Sequence, residues 1–207
     1  MKDVRETVTQ SEYNRTLAGL IGSRICHDLI SPVGAMANGL ELLSLAGVPG
    51  GPEMELAVQS AANAGARLRF FRVAFGMSSD GQTMSTRELT GILHDVYCEK
   101  TKVDWQFTGD LPRVVAQAIC LGLMCAEQAL PQGGVMTVNG TADAVQITSA
   151  GGRLGARPAH WGWLTDGAAP GDVPAAQVQF VMLHGLLAGM DRAPVVDSRE
   201  DALSLYF

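Results

Sequence analysis

The sequence predicts an α+β chain. An amino-terminal helical hairpin forms a dimeric four-helix bundle, and an α/β sandwich follows it. Three observations carry that prediction. One helical apolar pattern runs from about Glu12 to Leu45 and a second from about Pro52 to Phe75, with Ala46-Gly47-Val48-Pro49-Gly50-Gly51 breaking them apart. The second pattern is a heptad seam that a lone hairpin cannot bury. Beyond Ser78 the periodicity changes to short helices and strands in mixed order. Residues 1–78 are therefore assigned to the hairpin and residues 79–207 to the second domain.

Residues 1–11 are polar and carry no helical signal. At about 1.5 Å per residue the first helix spans roughly 50 Å, a length that suits a stem better than a compact globule. In the second helix Pro52 fits the first turn, and Glu53 and Glu55 complement its positive end. Met54, Ala57, Ala61, Ala64, Leu68, Phe71 and Phe75 recur at alternating spacings of three and four residues. This is an a/d seam whose alanine centre lets helices approach closely. Two hairpins from two chains would bury it as a four-helix bundle; in a monomer the second domain would have to cover it. Arg67, Arg69 and Arg72 complement the negative end of this helix, and also offer contacts to an acidic partner.

Gly76 to Gln82 reads as the boundary. Ser85 with Glu88 forms a capping box that opens a helix through about Glu99. Val103, Trp105 and Phe107 alternate within a strand over residues 102–108. Pro112 opens an apolar helix that ends before Pro131, and 135–140 with 144–149 read as a hairpin. Residues 151–174, rich in Gly, Ala and Pro, read as loop anchored by Trp161 and Trp163. A helix over 175–190 turns Val178, Met182, Leu186 and Ala188 or Gly189 inward. Strands at 194–196 and 203–207 close the chain around a turn near Ser198. Helices on one face of a mixed sheet result.

Composition narrows the function. With 47% hydrophobic residues in 207, the chain can build a core. A net charge of −6 and the absence of any Lys/Arg block argue against nucleic-acid binding. No apolar run reaches the roughly 18 residues that span a bilayer, and the amino terminus lacks a signal-peptide core. The four cysteines, Cys26, Cys98, Cys120 and Cys125, show no C-x-x-C spacing, which suits reduced thiols in a cytoplasm. His160 and His184 stand at no metal-ligand spacing, so no metal is assigned.

The chemistry concentrates in Arg24-Ile25-Cys26-His27-Asp28-Leu29-Ile30-Ser31-Pro32-Val33. At about 100° per residue, Ile25, Leu29, Met36, Leu40 and Leu43 share a stripe, and His27 lies roughly opposite. Its own face carries Ser23, Arg24, Ser31, Gly34 and Asn38, mostly small or polar, so His27 is placed away from the core. A neutral imidazole nitrogen attacks electrophiles near neutral pH, because its unperturbed pKa is about 6.5. Asp28 can hold the second ring nitrogen or take up a proton. Ser31, one turn on, can hydrogen-bond an incoming phosphoryl oxygen or orient a water. Pro32 removes an N–H and loosens the helix beneath the reactive face. His27 is read as a phosphoryl carrier, with Arg24, Pro32 and Asn38 as supporting or docking residues. His94-Asp95 repeats the His–acid pair without the hydroxyl and proline, and reads as a surface pair.

His27-Asp28-Leu29-x-Ser31-Pro32 resembles the H box of sensor histidine kinases. The longer string from Ser23 to Ala35, followed by Asn38-Gly39-Leu40-Glu41-Leu42-Leu43, is similar to the ChpT-type alphaproteobacterial histidine phosphotransferases. The resemblance implies a carboxy-terminal domain of degenerate histidine-kinase ATPase (Bergerat) type. Kinases hold Mg–ATP with an Asn on the helix corresponding to Ala116–Leu130, and this helix has none. They read adenine with an Asp before Gly-x-Gly, whereas Thr148-Ser149-Ala150-Gly151-Gly152 offers no acid. Gly151-Gly152-x-x-Gly155 is read as a turn. No ATP binding is expected, and Mg²⁺ is expected only on the partner receiver. The resemblance implies a relay of phosphoryl groups between receiver domains, from a hybrid histidine kinase to cell-cycle response regulators, which the cytoplasmic homodimer read above would carry out. Two alternatives remain: an ATP-dependent histidine kinase with a divergent nucleotide site, and a non-catalytic dimeric adaptor that binds receivers.

Overall fold

The computed structural model describes residues 15, 30, 33–34, 36–45, 47, 52–79, 81–151, 161–167, 177–199 and 201–207. Every described residue between 15 and 45 is helical, and residues 36–45 are taken as α1. A turn follows at Gly47, whose φ of 70° favours glycine. The second helix of the hairpin, α2, covers Pro52–Ala74, as the seam predicted.

The rest of this chain covers the seam only in part. Met54, Ala57, Leu68, Phe71 and Phe75 are only half-buried and Ala64 is exposed. Of the seam only Ala61 is buried, and the rest of the buried stripe is Ala66, Phe70, Val73 and Ala74. Phe70 meets Tyr97 edge-on with ring centroids 5.8 Å apart. Burying side chains of this size stabilises by roughly 1.5–3 kcal/mol each. The last turns of α2 thus share one hydrophobic core with everything downstream.

The short strand β1 (Thr83–Met84) pairs antiparallel with β3 (Leu111–Pro112), a two-residue ladder the sequence did not signal. Between them lie α3 (Thr86–Val96) and β2 (Thr101–Trp105). Ser85 caps α3, its hydroxyl accepting from the Glu88 N–H at 3.1 Å. This helix ends three residues before the expected Glu99, because Tyr97 leaves helical geometry. β2 stops at Trp105, so Phe107 lies outside the strand yet is buried, its ring 5.3 Å from that of Trp105.

Helix α4 (Arg113–Glu127) starts after Pro112, whose φ of −52° suits the entry. Nearly all of it is buried. Its Gly122 lets it lie close on the sheet, since a Cβ there would fall 2.6 Å from the Ile147 Cδ1. The hairpin β4 (Gly134–Thr141) and β5 (Ala144–Ala150) follows as predicted. The closing pair is β6 (Val195–Ser198) and β7 (Ala202–Tyr206). The five-stranded sheet runs β2-β4-β5-β7-β6, with β2 parallel to β4 and every other pair antiparallel.

Met136, Val138, Val145, Ile147, Leu203 and Leu205 face α4 and are buried. The opposite face is polar, with Gln146 donating to the Tyr206 hydroxyl and Thr148 bonded to Ser204. The expected arrangement of helices on one face therefore holds. Within the stretch expected to be loop, α5 (Trp161–Thr165) forms a short helix that buries Trp161 and Leu164. Helix α6 (Val178–Ala188) packs between α4 and α5. Met182 and Leu186 point inward as expected, but Val178 is half-buried and Ala188 and Gly189 are exposed. Phe180, Leu183 and Leu187 are buried as well, because α6 has neighbours on two sides.

Candidate functional site

His27, Asp28, Ser31, Arg24 and Pro32 lie outside the described residues. The described surface begins at Ile30, three residues further along the chain from His27. Ile30, Val33, Gly34 and Ala37 lie along one side of the first helix and border a groove of about 490 Å³. Its second wall is the middle of α2, including Gln59, Asn63 and Gly65. A Cβ on Gly65 would meet Val33 Cγ1 at 3.8 Å, so small residues bring the two helices into contact. The third wall belongs to α3 and the residues after it: His94, Asp95 and Cys98.

An ion pair joins the second and third walls, with Arg69 Nη2 2.8 Å from Asp95 Oδ2. Both side chains are about half exposed, and pairs of this kind contribute roughly 0–1 kcal/mol. His94 is exposed, so His94-Asp95 is a surface pair whose acid faces Arg69 rather than an imidazole. Asn38 is exposed on α1 and does not line the groove. The hydrophobic side chains Met36, Leu42, Leu43 and Leu45 of α1 are also exposed, Leu45 to 77%. No described residue buries these four side chains.

Helix α6 lies directly on α4. Trp161, Leu164, Phe180 and Leu183 fill the space around them, and Trp161 meets Phe180 edge-on at 5.1 Å. Ser149, where histidine kinases would carry an adenine-reading acid, is fully buried and donates to the Ala126 carbonyl at 3.1 Å. Gly152 and Gly155 lie outside the described residues. Cys120 and Cys125 on α4 are buried; burial pushes the Cys120 thiol up to about 12 and raises Cys125 well above its usual value. Neither is a nucleophile at neutral pH. His184 uses Nδ1 to donate to the Leu164 carbonyl at 2.8 Å, which ties α6 to α5. Among the described residues no three His, Cys, Asp or Glu gather to hold a metal ion, and no helix is long and apolar enough to cross a membrane.

Sequence reasoning missed two polar residues inside the domain, Arg113 and Gln117. Both reach from α4 to the end of α2. The signal available was an arginine directly after a helix-opening proline, a position where no dipole argument places a cation.

With this geometry in view, the comparisons are consistent. Residues 86–202 match the family described as histidine phosphotransferase C-terminal domain. The protein phosphotransferase ChpT of Brucella abortus (strain 2308) is 35% identical over 183 residues, which cover 84% of this chain and 87% of that one. A solved structure described as a bacterial phosphotransferase superposes with a TM-score of 0.67 at 28% identity, covering 96% of this chain and 98% of that one. The class is therefore that of phosphotransferases with a mixed α/β carboxy-terminal domain. The chain belongs to the ChpT-type histidine phosphotransferase family and acts as a histidine phosphotransferase of a phosphorelay.

Proposed function

We propose that His27 is the phosphoacceptor, and that it relays a phosphoryl group between aspartates of receiver domains. The observation that carries this is the string His27-Asp28-Leu29-x-Ser31-Pro32 in a chain of this family, with its own Ile30, then Val33 and Ala37, bordering the groove. A receiver carrying phospho-aspartate docks on the hairpin. The bare imidazole nitrogen attacks phosphorus in line as the acyl-phosphate P–O bond breaks, and the aspartate leaves as carboxylate. The ring N–H is held by Asp28, which can also accept its proton, and Ser31 hydrogen-bonds a phosphoryl oxygen. The reverse sequence loads a second receiver. Positioning and charge stabilisation are what such a transfer requires, so Arg24, Pro32 and Asn38 act in support and docking.

The donor is the receiver of a hybrid histidine kinase and the acceptors are response regulators; their own acidic pockets bring the Mg²⁺. The division of labour is between residues 1–78, which carry the histidine, and residues 79–207, a degenerate ATPase-like domain. No ATP serves as cofactor. Support for this comes from the missing Asn on α4, the buried Ser149 where an acid would be needed, and the packing of α6 on α4. The exposed face of Met36, Leu42 and Leu43 with the half-buried Leu68 and Phe71 is paired by a second copy, giving a four-helix bundle in the cytoplasm.

The test is transfer from a labelled phospho-receiver to purified protein with ATP removed, alongside His27→Gln. Acid-labile label on the wild type alone supports the proposal. Receiver binding without label would leave an adaptor, and label that requires added ATP would indicate a kinase.

A further inference from the structure

The carboxy-terminal turn of a helix leaves carbonyls without partners. In α2 these are met by another helix rather than by a local cap. Arg113 Nη1 donates to the Val73 carbonyl at 3.0 Å and Nη2 to the Arg72 carbonyl at 2.8 Å. Gln117 Nε2 donates to the Ala74 carbonyl at 3.1 Å, and its Oε1 accepts from the Ser78 hydroxyl at 3.3 Å. Three successive carbonyls of α2 are thus taken by two side chains one turn apart on α4. The Arg113 backbone N–H is also anchored, to the Gln82 carbonyl at 2.8 Å. Gln117 is 7% exposed, so its amide is committed to these contacts. Gly76 spares one of the held carbonyls: a Cβ there would sit 2.2 Å from the Arg72 carbonyl oxygen. The positive guanidinium meets the negative end of α2, the favourable sense of the dipole.

We infer that Arg113 and Gln117 are positioning residues that lock the hairpin at one angle to the carboxy-terminal domain, so that the two present a single composite surface to the receiver. The groove shows why the angle matters. Its walls come from both bodies, Ala37 and Gln59 on the hairpin and His94 and Cys98 on the domain. Rotation about the residues 75–79 would move the third wall away from the first two. The Arg69–Asp95 pair crosses the same gap, but it is exposed and screened. Phe70, Val73 and Ala74 seat the end of α2 in the common core, and the half-buried Arg113 with the buried Gln117 fixes its angle there. This clamp acts on docking, and the chemistry at His27 does not use it. This inference rests on the receiver-docking proposal above, and its test separates the two.

Spin labels at Gln59 and Arg87, in protein with Cys26→Ser and Cys98→Ser and diluted with unlabelled chain, report the angle directly. Phosphotransfer from a phospho-receiver reports docking. The wild type should give one narrow distance distribution. Arg113→Ala should broaden it and raise the apparent KM for the receiver about tenfold with kcat within about twofold, the size expected for losing charged hydrogen bonds. Arg113→Lys keeps the charge but cannot straddle two carbonyls, and should fall between. Gln117→Leu, which keeps the volume, guards against a misfolded Arg113→Ala. A distribution as narrow as wild type in Arg113→Ala and Gln117→Leu would overturn the inference. So would a fall in kcat at unchanged KM. Should the wild type accept no phosphoryl group at all, the receiver reading fails while the distances still decide the clamp.

Discussion

Cys120 sits fully buried on α4, on the side of Arg113 and Tyr97, with its thiol held neutral up to about 12. In the unfolded chain the same thiol ionises near about 8.5. Between those values the unfolded state binds fewer protons than the folded one, so stability falls as pH rises. At pH 10 the loss from this one group should be about 2 kcal/mol. Urea melts at pH 8 and pH 10 check this, and in Cys120→Ala the difference should shrink by that amount. Cys98, exposed at the edge of the groove, should react with a thiol reagent at pH 8 while Cys120 and Cys125 stay protected until denaturant is added. At this scale the sequence showed the reactive string around His27 but not the clamp. A histidine followed by an acid, a hydroxyl and a proline is a local pattern. Arg113 and Gln117 owe their role to carbonyls about 40 residues away, which no local pattern encodes.

Helix α2 carries two apolar stripes: one enters the core fully, while the seam is only partly buried, with Phe71 and Phe75 packed against that core. Heptad spacing revealed the seam of Leu68, Phe71 and Phe75, and helix existence followed from it. It did not reveal that Phe70, Val73 and Ala74 would enter the downstream core, because that choice depends on where α3 and α4 pack. The same reason accounts for α6, whose burial on two sides erased a single inward stripe. Helix α5 hid in a stretch rich in Gly, Ala and Pro, where composition argued for loop and the burial of Trp161 decided otherwise. Strands β1 and β3 are two residues each, too short to show alternation. The capping box at Ser85, the β4–β5 hairpin and the β6–β7 pair were local signals and were legible. The joint between α2 and α4 gives a prediction of its own. Gly76→Ala places a Cβ against the Arg72 carbonyl and should destabilise by about 1–3 kcal/mol in urea unfolding. Gly34→Ala, in open space on the groove, should show no steric penalty.

For the whole molecule, two surfaces compete for the account. One is the polar outer face of the sheet, with its Gln146, Tyr206, Thr148 and Ser204 network, which needs no partner. The other is the exposed apolar face of the hairpin. Sedimentation should find a dimer at micromolar protein, and Leu68→Glu should give a monomer that keeps the far-ultraviolet spectrum of its carboxy-terminal domain. A monomeric wild type would remove the four-helix bundle from the proposal. The family match covers residues 86–202, so the domain that carries it is not the one that carries His27. The site of phosphorylation is therefore the claim on which the rest depends. It is tested most directly by mapping the phosphoryl group after transfer from a phospho-receiver, by tandem mass spectrometry of protein quenched at alkaline pH. Modification at His27, lost in His27→Gln, is the predicted result. Modification at His94, which also precedes an aspartate on the other side of the groove, or anywhere else in the chain, would contradict the account.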